Sequence, residues 1–291
     1  MPSTREIRRR IKSVKNISQI TRAMEMVAAS RMRRAQQAVL AGRPYAVKLD
    51  EVIANLSARL GTMDVDVSHP LLQRRAVIKN AGVVLITSDK GLCGSMNSNV
   101  IRRTTRFMLD EAPAGGAFEV VPVGRKGRDF MVRYGRPVVA EFTNYGDRPS
   151  PDYIIPIARV ITEEYASGRI DAVYLIYSEF VNTLIQKPVI IPLLPLHAAE
   201  VSGPQLEYIY EPSPEAVLTQ LVPRYIEARI YQALLESIAS EQSARLVAMR
   251  NATKAAKDMV ADLSLSYNKL RQANITKELT EIASGAAALT G

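Results

Sequence analysis

Cysteine and histidine are scarce in this 291-residue sequence, and it contains no long apolar run. The lone Cys93 cannot form an internal disulfide, and the N-terminal residues lack the apolar stretch of a secretory signal, so we expect a reducing, cytosolic compartment. No apolar run approaches the roughly 20 residues needed to cross a bilayer. His69 and His197 have no cysteine or acidic cluster at metal-ligand spacing, which predicts that the chain holds no zinc.

Sequence motifs of catalysis are also missing. The segment DKGLCG at residues 89–94 is similar to a phosphate cradle, but it lacks the Lys-Ser/Thr ending of a P-loop and the glycine spacing of a dinucleotide fingerprint. A tight strand-to-helix turn is the favoured interpretation. Cys93 would need a nearby base and a lowered pKa to act as a nucleophile, so a packed thiol is favoured there. No Gly-x-Ser-x-Gly elbow is present, and we predict neither a catalytic site nor a cofactor.

Positive charge is concentrated at one end of the chain. Residues 1–48 hold 12 Lys and Arg against 2 Asp and Glu, a net charge of +10, whereas residues 49–291 hold 26 against 27. Such a segment favours an acidic or polyanionic partner, which could be nucleic acid, an anionic membrane face or an acidic protein surface. A solvated basic helix face would have the same composition.

Glycine and proline are nearly absent from two long segments. Of the 31 Gly and Pro residues, 28 lie between Gly42 and Pro223, which leaves uninterrupted runs of 39 residues (3–41) and 61 residues (224–284). Because Gly and Pro are the main helix breakers, each run predicts one long helix. At about 1.5 Å per residue the second would span roughly 90 Å, a length typical of a coiled coil.

Apolar residues in both runs recur at helical spacing. Neither run is a regular leucine zipper, so the pattern favours the two ends of one chain packed antiparallel over two identical chains packed in parallel. The apolar stripe predicted to be buried consists, in the first run, of Ile7, Ile11, Val14, Ile17, Ile20, Met24, Val27 and Ala35, and, in the second, of Leu221, Ile226, Ile230, Leu234, Ile238, Val247, Met249, Met259, Leu263, Leu270, Ile275, Leu279 and Ile282.

The middle of the chain alternates strand and helix patterns. This alternation predicts a Rossmann-like α/β domain with a largely parallel sheet and helices on its faces. The predicted strands are 82–87, 118–123, 138–142, 172–177 and 189–194, and the predicted helices are 97–111, 126–134 and 152–167. The fold class is therefore α/β plus long helices, with an N-terminal coiled-coil helix (1–58), a central α/β domain (76–200) and a C-terminal coiled-coil helix (213–291).

Five segments carry a resemblance to a known family. The C-terminal ITKELTEIASGAAA (275–288) closely resembles the signature of the gamma subunits of rotary F-type ATP synthases. The resemblance extends over nearly the whole chain, through REIRRRIKSVKNISQITRAMEMVAASRMRRAQ (5–36), SDKGLCGSMN (88–97), EYIYEPSP (207–214) and SEQSARLVAMRNAT (240–253).

The resemblance implies a function as well as a fold. It implies a central shaft, formed by the two terminal helices as an antiparallel coiled coil, inside a hexamer of three alpha and three beta subunits. The shaft would do no chemistry itself. It would couple proton flow through the membrane c-ring to ATP synthesis at the beta subunits by rotation, and it would also contact the epsilon subunit.

Particular residues match family positions that contact the hexamer. Met24 matches the position that faces an acidic loop of a beta subunit, where an apolar side chain would slide without an ionic latch; packing inside the coil is the alternative. Further matches on the C-terminal helix imply polar contacts with the hexamer, although each could be a solvated helix position. They are Glu241, Arg245, Arg271, Gln272, Thr276 and Glu278.

The resemblance also assigns the two ends of the shaft. The uncharged tip with Ile282, Gly285, Ala286 and Leu289 matches the segment held in an apolar sleeve of the hexamer. The foot, with Tyr208, Tyr210 and Glu211, matches the segment that meets the membrane ring and epsilon, where tyrosines offer contact area and hydrogen bonds. A plain surface turn would have the same sequence.

The chain differs in one respect from the photosynthetic members of the family. Photosynthetic relatives carry an insert with a regulatory cysteine pair, which a chain with one cysteine lacks. The absence of a transit peptide favours a bacterial protein on the cytoplasmic face of the cell membrane, without insertion into it; a mature organelle chain is the alternative. A nucleic-acid-binding protein is disfavoured by the apolar stripe on the basic helix, and an enzyme by the missing motifs.

Overall fold

The computed structural model describes residues 3–62, 71, 75, 77–111, 116–196, 210–211 and 213–290, without the side chains of 57–62, 215 and 287–290. These residues form two compact units. The coil unit consists of Met1–Ala28 and Leu246–Gly291, and the domain unit of Ala29–Arg245.

Two long helices dominate the chain, as the sequence predicts. Helix α1 spans Thr4–Thr62 and helix α5 spans Pro214–Thr290, so both extend beyond the runs without Gly and Pro. Pro44 lies inside α1 and Pro223 inside α5. A proline removes one backbone hydrogen bond from a helix, so packing along these helices outweighs that cost.

In the coil unit α1 and α5 are antiparallel, which confirms the predicted arrangement. The Thr21 and Thr253 hydroxyl oxygens lie 2.7 Å apart, and Arg250 Nε donates to Glu25 Oε1 at 2.9 Å. A step of four residues forward along α1 therefore corresponds to a step of three residues back along α5.

The seam between these helices is narrower than the predicted stripe. On α1 the buried positions are Ile7, Thr21 and Ala28, with Val14 half-buried, which is a seven-residue spacing. One partner helix covers only such a seam, and small residues allow a close approach. The prediction of burial is therefore wrong for the members of the stripe that lie outside the seam, which are Ile17, Ile20, Val27, Met259, Ile275, Leu279 and Ile282.

The domain unit is built around a four-stranded sheet. Its strands are β1 (Ala81–Ile86), β2 (Phe118–Val123), β3 (Ala172–Phe180) and β4 (Gln186–Leu194), in the order β2-β1-β3-β4. Strand β1 pairs in parallel with β2 and β3, and β4 is an antiparallel edge strand. This arrangement confirms the predicted α/β class with a largely parallel sheet.

Helices cover both faces of the sheet. They are α2 (Met96–Asp110), α3 (Arg125–Arg133) and α4 (Ile155–Ala166), the last preceded by a 3-10 turn at Pro151–Tyr153. The side chains of β1 alternate between two apolar clusters: Val83 and Leu85 join α2 and α3, while Val84 and Ile86 join α4 and α5. The sheet is therefore the middle layer of the domain unit.

The predicted strand at 138–142 does not form a ladder. Only two isolated bridges join it to β2, at Val120–Val138 and Val123–Phe142. Between them β2 carries Pro122, which has no N–H to donate, and this missing donor interrupts the pairing.

Candidate partner-binding surfaces

The outer face of α1 in the coil unit carries an apolar stripe. Ile17, Ile20 and Val27 are exposed and Met24 is half-buried at the edge of the seam. At about 100° per residue these four positions fall within about 80° of the helix circumference. Among the described residues of the coil unit, none buries Ile17, Ile20 or Val27, and Met24 is covered only in part; we call these four residues the outer stripe.

Glu241 and Arg245 form an internal ion pair in the domain unit. Arg245 Nη2 donates to Glu241 Oε1 at 2.6 Å and to the Gly91 carbonyl oxygen at 3.1 Å. The two residues are only 7% and 8% exposed. Burial raises the pKa of Glu241 above its usual value, and the Arg245 guanidinium counteracts part of that rise. In the isolated chain their partners are each other and Gly91, and their contact with the hexamer stays a prediction.

The predicted contact residues near the end of α5 are solvent-exposed. Every described side chain from residue 271 to 286 is exposed, because α1 begins at Thr4 and no longer accompanies α5 there. This stretch includes Arg271, Gln272, Thr276, Glu278, Ile282, Gly285 and Ala286; Leu289 lies in the helix, and its side chain is outside the described set. The structure thus brings the polar group and the tip onto one uncovered helical segment.

The foot is only partly described. Tyr210 is half-buried and packs against the core that α5 shares with the sheet, and Glu211 is exposed. Tyr208 lies outside the described residues. The two described foot residues directly precede α5, far along the chain from the tip.

Comparisons with known proteins identify the family. A sequence model described as ATP synthase matches residues 3–289. The ATP synthase gamma chain of Chloroflexus aurantiacus is 54% identical over 291 residues, with 100% of each chain covered. That of Roseiflexus castenholzii is 56% identical over 290 residues, with 99% of each chain covered. The chain belongs to the ATP synthase gamma chain family.

Solved structures related to the gamma chain family share this fold. A chain in the cryo-EM structure of the Tetrahymena thermophila mitochondrial ATP synthase central stalk and c-ring is 28% identical, with 80% of this chain and 99% of that chain covered and a TM-score of 0.61. A chain of the Euglena gracilis mitochondrial enzyme, from its OSCP/F1/c-ring structure in rotational state 3, is 19% identical, with 98% and 94% covered and a TM-score of 0.66. The second likeness concerns the fold alone.

The loop between β1 and α2 holds Cys93 as an internal thiol. Asn97 Nδ2 donates to the Cys93 Sγ at 3.2 Å, and the Ser88 hydroxyl lies 3.8 Å from the same sulfur. Burial raises the pKa of Cys93, so the thiol stays protonated at neutral pH. That is the opposite of what a nucleophilic cysteine needs.

Neither a metal site nor a membrane span emerges from the described part of the chain. Within it no three His, Cys, Asp or Glu side chains come together as metal ligands would. His69 and His197 lie outside the described residues. Of the helices described, none is both long and apolar enough to cross a membrane.

Two surface features were not found from the sequence. One is the turn between β3 and β4, where Val181, Leu184 and Ile185 are exposed. The other is a basic pocket lined by Arg31, Arg34 and Arg148 beside Asp147. Neither the turn nor the pocket contains a sequence motif. The tertiary fold decides which of their residues are exposed together.

Proposed function

We propose that this chain is the central rotor shaft of a proton-translocating F-type ATP synthase. The coil unit turns inside a hexamer of three alpha and three beta subunits, and the foot engages the membrane c-ring and the epsilon subunit. The observation that supports this function best is the outer stripe, an apolar surface on a two-helix coil whose own seam is already filled. Membership of the ATP synthase gamma chain family supports the role of this coil as a rotor shaft.

The shaft acts by making different contacts with three identical partners. Because one coil has a different surface on each side, three chemically identical beta subunits around it are held in different conformations, and their affinities for nucleotide must differ. Turning the coil moves each subunit to the next conformation. Apolar contacts suit this movement because the hydrophobic effect is non-directional, whereas a buried ion pair would have to be broken at every step.

The ends of α5 fit the same assignment. The uncovered segment 271–286 offers Arg271, Gln272, Thr276 and Glu278 for polar contacts, followed by a small, uncharged tip that suits an apolar sleeve. The tyrosines and Glu211 of the foot would transmit torque from the ring. Glu241 and Arg245 would reach the hexamer only after their internal pair opens.

The chain would act without a cofactor and without catalysing a reaction. The catalytic sites would lie on the beta subunits, and the chain would lie on the cytoplasmic face of a bacterial cell membrane without entering it. We propose no nucleic-acid partner, since the basic helix carries both the seam and the outer stripe.

Assembly with alpha and beta subunits tests the function directly. The chain is co-expressed with alpha and beta subunits from the same source, and the complex is purified and assayed for ATPase activity with and without the chain. We expect a complex of three alpha, three beta and one copy of this chain, with full activity only when the chain is present. A chain that remains apart from alpha and beta would contradict the proposal.

A charge placed on the outer stripe tests the mechanism. Ile20→Lys puts a cation on the stripe, and Gln19→Lys puts the same charge on an exposed position about 100° around α1 from Ile20, outside the stripe. With an acidic loop as the facing surface, Ile20→Lys should slow ATP turnover several-fold, and added salt should relieve part of the loss, because salt screens ionic contacts. Equal turnover in the two assembled variants would refute the stripe as the sliding surface.

A further inference from the structure

We propose that the domain unit has its own apolar contact with the alpha/beta hexamer, made by the turn between β3 and β4. This inference rests on the proposed rotor function and adds to it a second contact surface outside the coil. The apolar crest, as we name it, consists of Val181, Leu184 and Ile185, which are all exposed.

All three apolar side chains of the crest are exposed. Leu184 is 77% exposed, Ile185 55% and Val181 50%. No charged residue occurs between Val181 and Gln186, although such residues are the common protection of exposed strand ends. Apolar side chains that are exposed together on one turn, rather than singly, suit an interaction site.

The turn is held in place by hydrogen bonds. Asn182 Oδ1 accepts from the backbone N–H of Leu184 and of Ile185, both at 2.9 Å. The Ser243 hydroxyl of α5 donates to the Thr183 carbonyl oxygen at 2.6 Å. The apolar side chains are therefore presented on a pre-ordered turn, which lowers the entropy cost of binding.

The loop that follows β1 exposes a further apolar side chain, Leu92. Strands β1 and β3 are parallel, so the loops that follow them leave the sheet at the same edge. Leu92 has a left-handed φ of 63° and is exposed, a conformation that a leucine rarely adopts. Arg245 fixes the adjacent Gly91 through its carbonyl oxygen. The segment 240–245 of α5 thus supports both loops.

Position along α5 favours the hexamer over the ring as the partner. Ser243 lies 29 residues after Pro214, where α5 begins next to the foot, which corresponds to about 44 Å at 1.5 Å per residue. A ring or an epsilon subunit bound at the foot would be distant from the crest. The turn that carries the crest contacts α5 at Ser243, near the end of the domain unit's part of that helix, which under the proposed function favours the hexamer as its partner.

Binding of purified alpha/beta hexamer to the immobilised full chain, followed by interferometry, tests the crest. The variants are Leu184→Asp and Ile185→Asp, with Leu184→Ala as a milder change. Leu109→Asp is the matched control, because Leu109 on α2 is also highly exposed but lies away from this turn. Burial of one such side chain predicts that each Asp variant weakens binding by between about tenfold and a hundredfold. Leu184→Ala should have a smaller effect, and Leu109→Asp should bind as the unchanged chain does.

The outcomes separate this inference from the proposed function. If the unchanged chain binds and the crest variants bind equally well, the crest is refuted while the rotor function stands. If the unchanged chain does not bind at all, the rotor function fails and the inference with it. If the unchanged chain is a dimer in solution and Leu184→Asp makes it a monomer without affecting hexamer binding, the crest contacts a second copy, which also overturns the proposal.

Discussion

The buried hydroxyl pair in the coil seam allows a quantitative prediction. Thr253 Oγ1 donates to the Met249 carbonyl oxygen at 2.8 Å, so its single proton is used. Thr21 is then the donor across the 2.7 Å contact between the two hydroxyls, and its other acceptor, the Ser18 carbonyl oxygen, lies farther away at 3.2 Å. Thr253→Val removes the nearer acceptor of Thr21, and Thr21→Val removes the donor to Thr253.

The effect of each substitution on the free energy of coil opening follows from the hydrogen bond that it removes. Either single substitution should lower the free energy of coil opening by about 1 kcal/mol, the usual net value of a neutral hydrogen bond. The double substitution replaces both hydroxyls with methyl groups of the same shape, which is nearly neutral. The coupling between the two positions should therefore be about 2 kcal/mol, the difference between the sum of the two single costs and the cost of the double substitution.

Hydrogen exchange of peptides covering residues 14–28 measures this opening. Each single variant should exchange about fivefold faster than the unchanged chain, since 1.4 kcal/mol is a factor of ten, and the double variant should exchange at nearly the original rate. Thr280→Val is the control, because the exposed Thr280 hydroxyl donates only along its own helix, to Thr276. A double variant that costs the sum of the two singles would refute the reasoning.

Three further predictions concern the domain unit and the tip. Arg245→Met leaves Glu241 buried without its counter-ion and should cost about 3–5 kcal/mol of unfolding free energy at neutral pH. Because burial raises the pKa of Glu241, this loss should shrink as the pH falls and the carboxylate is protonated. Denaturation at several pH values measures the change. Gly124→Ala would place a Cβ 1.9 Å from the Thr87 carbonyl oxygen, whereas at Gly135, also with positive φ, a Cβ meets nothing within 4 Å; the first should lower the melting temperature far more than the second, and equal melting temperatures would contradict this. Deletion of residues 282–291 removes a segment whose described side chains, those of 282–286, are exposed. It should leave the melting temperature of the chain unchanged while lowering the ATPase activity of the assembled complex; a truncated chain that cannot fold would contradict it.

The long helices and most strands could be predicted because their signals are local. The scarcity of Gly and Pro defines α1 and α5, and a short apolar run defines β1. The limits of the seam could not be predicted, because apolar residues occupy the seam and the outer stripe alike, and only the position of the partner helix decides that Ile7 is buried and Ile20 is not. The prediction of a strand at 138–142 was wrong because the proline that interrupts its pairing lies in another segment, β2.

The candidate site shows the same division between local and distant information. The family motif selects Glu241 and Arg245, but their burial depends on Gly91, which is 154 residues away in the chain from Arg245. The crest was missed because Val181–Gln186 contains no motif, and its exposure follows from how β3 and β4 meet α5. Sequence patterns thus locate residues on elements, whereas tertiary contacts decide which of them face a partner.

The placement of residue types inside and outside the seam of the coil unit suits a shaft. The seam combines apolar residues such as Ile7 and Met249 with the Thr21–Thr253 contact, which fixes one pairing of the two helices, and further apolar residues lie outside it in the outer stripe. A slip of the pairing by one heptad would move the stripe by about 10 Å along the helix axis, which would displace it from any surface it contacts. A fixed internal register is therefore a requirement for an apolar outer surface to meet three partners in turn at the same height.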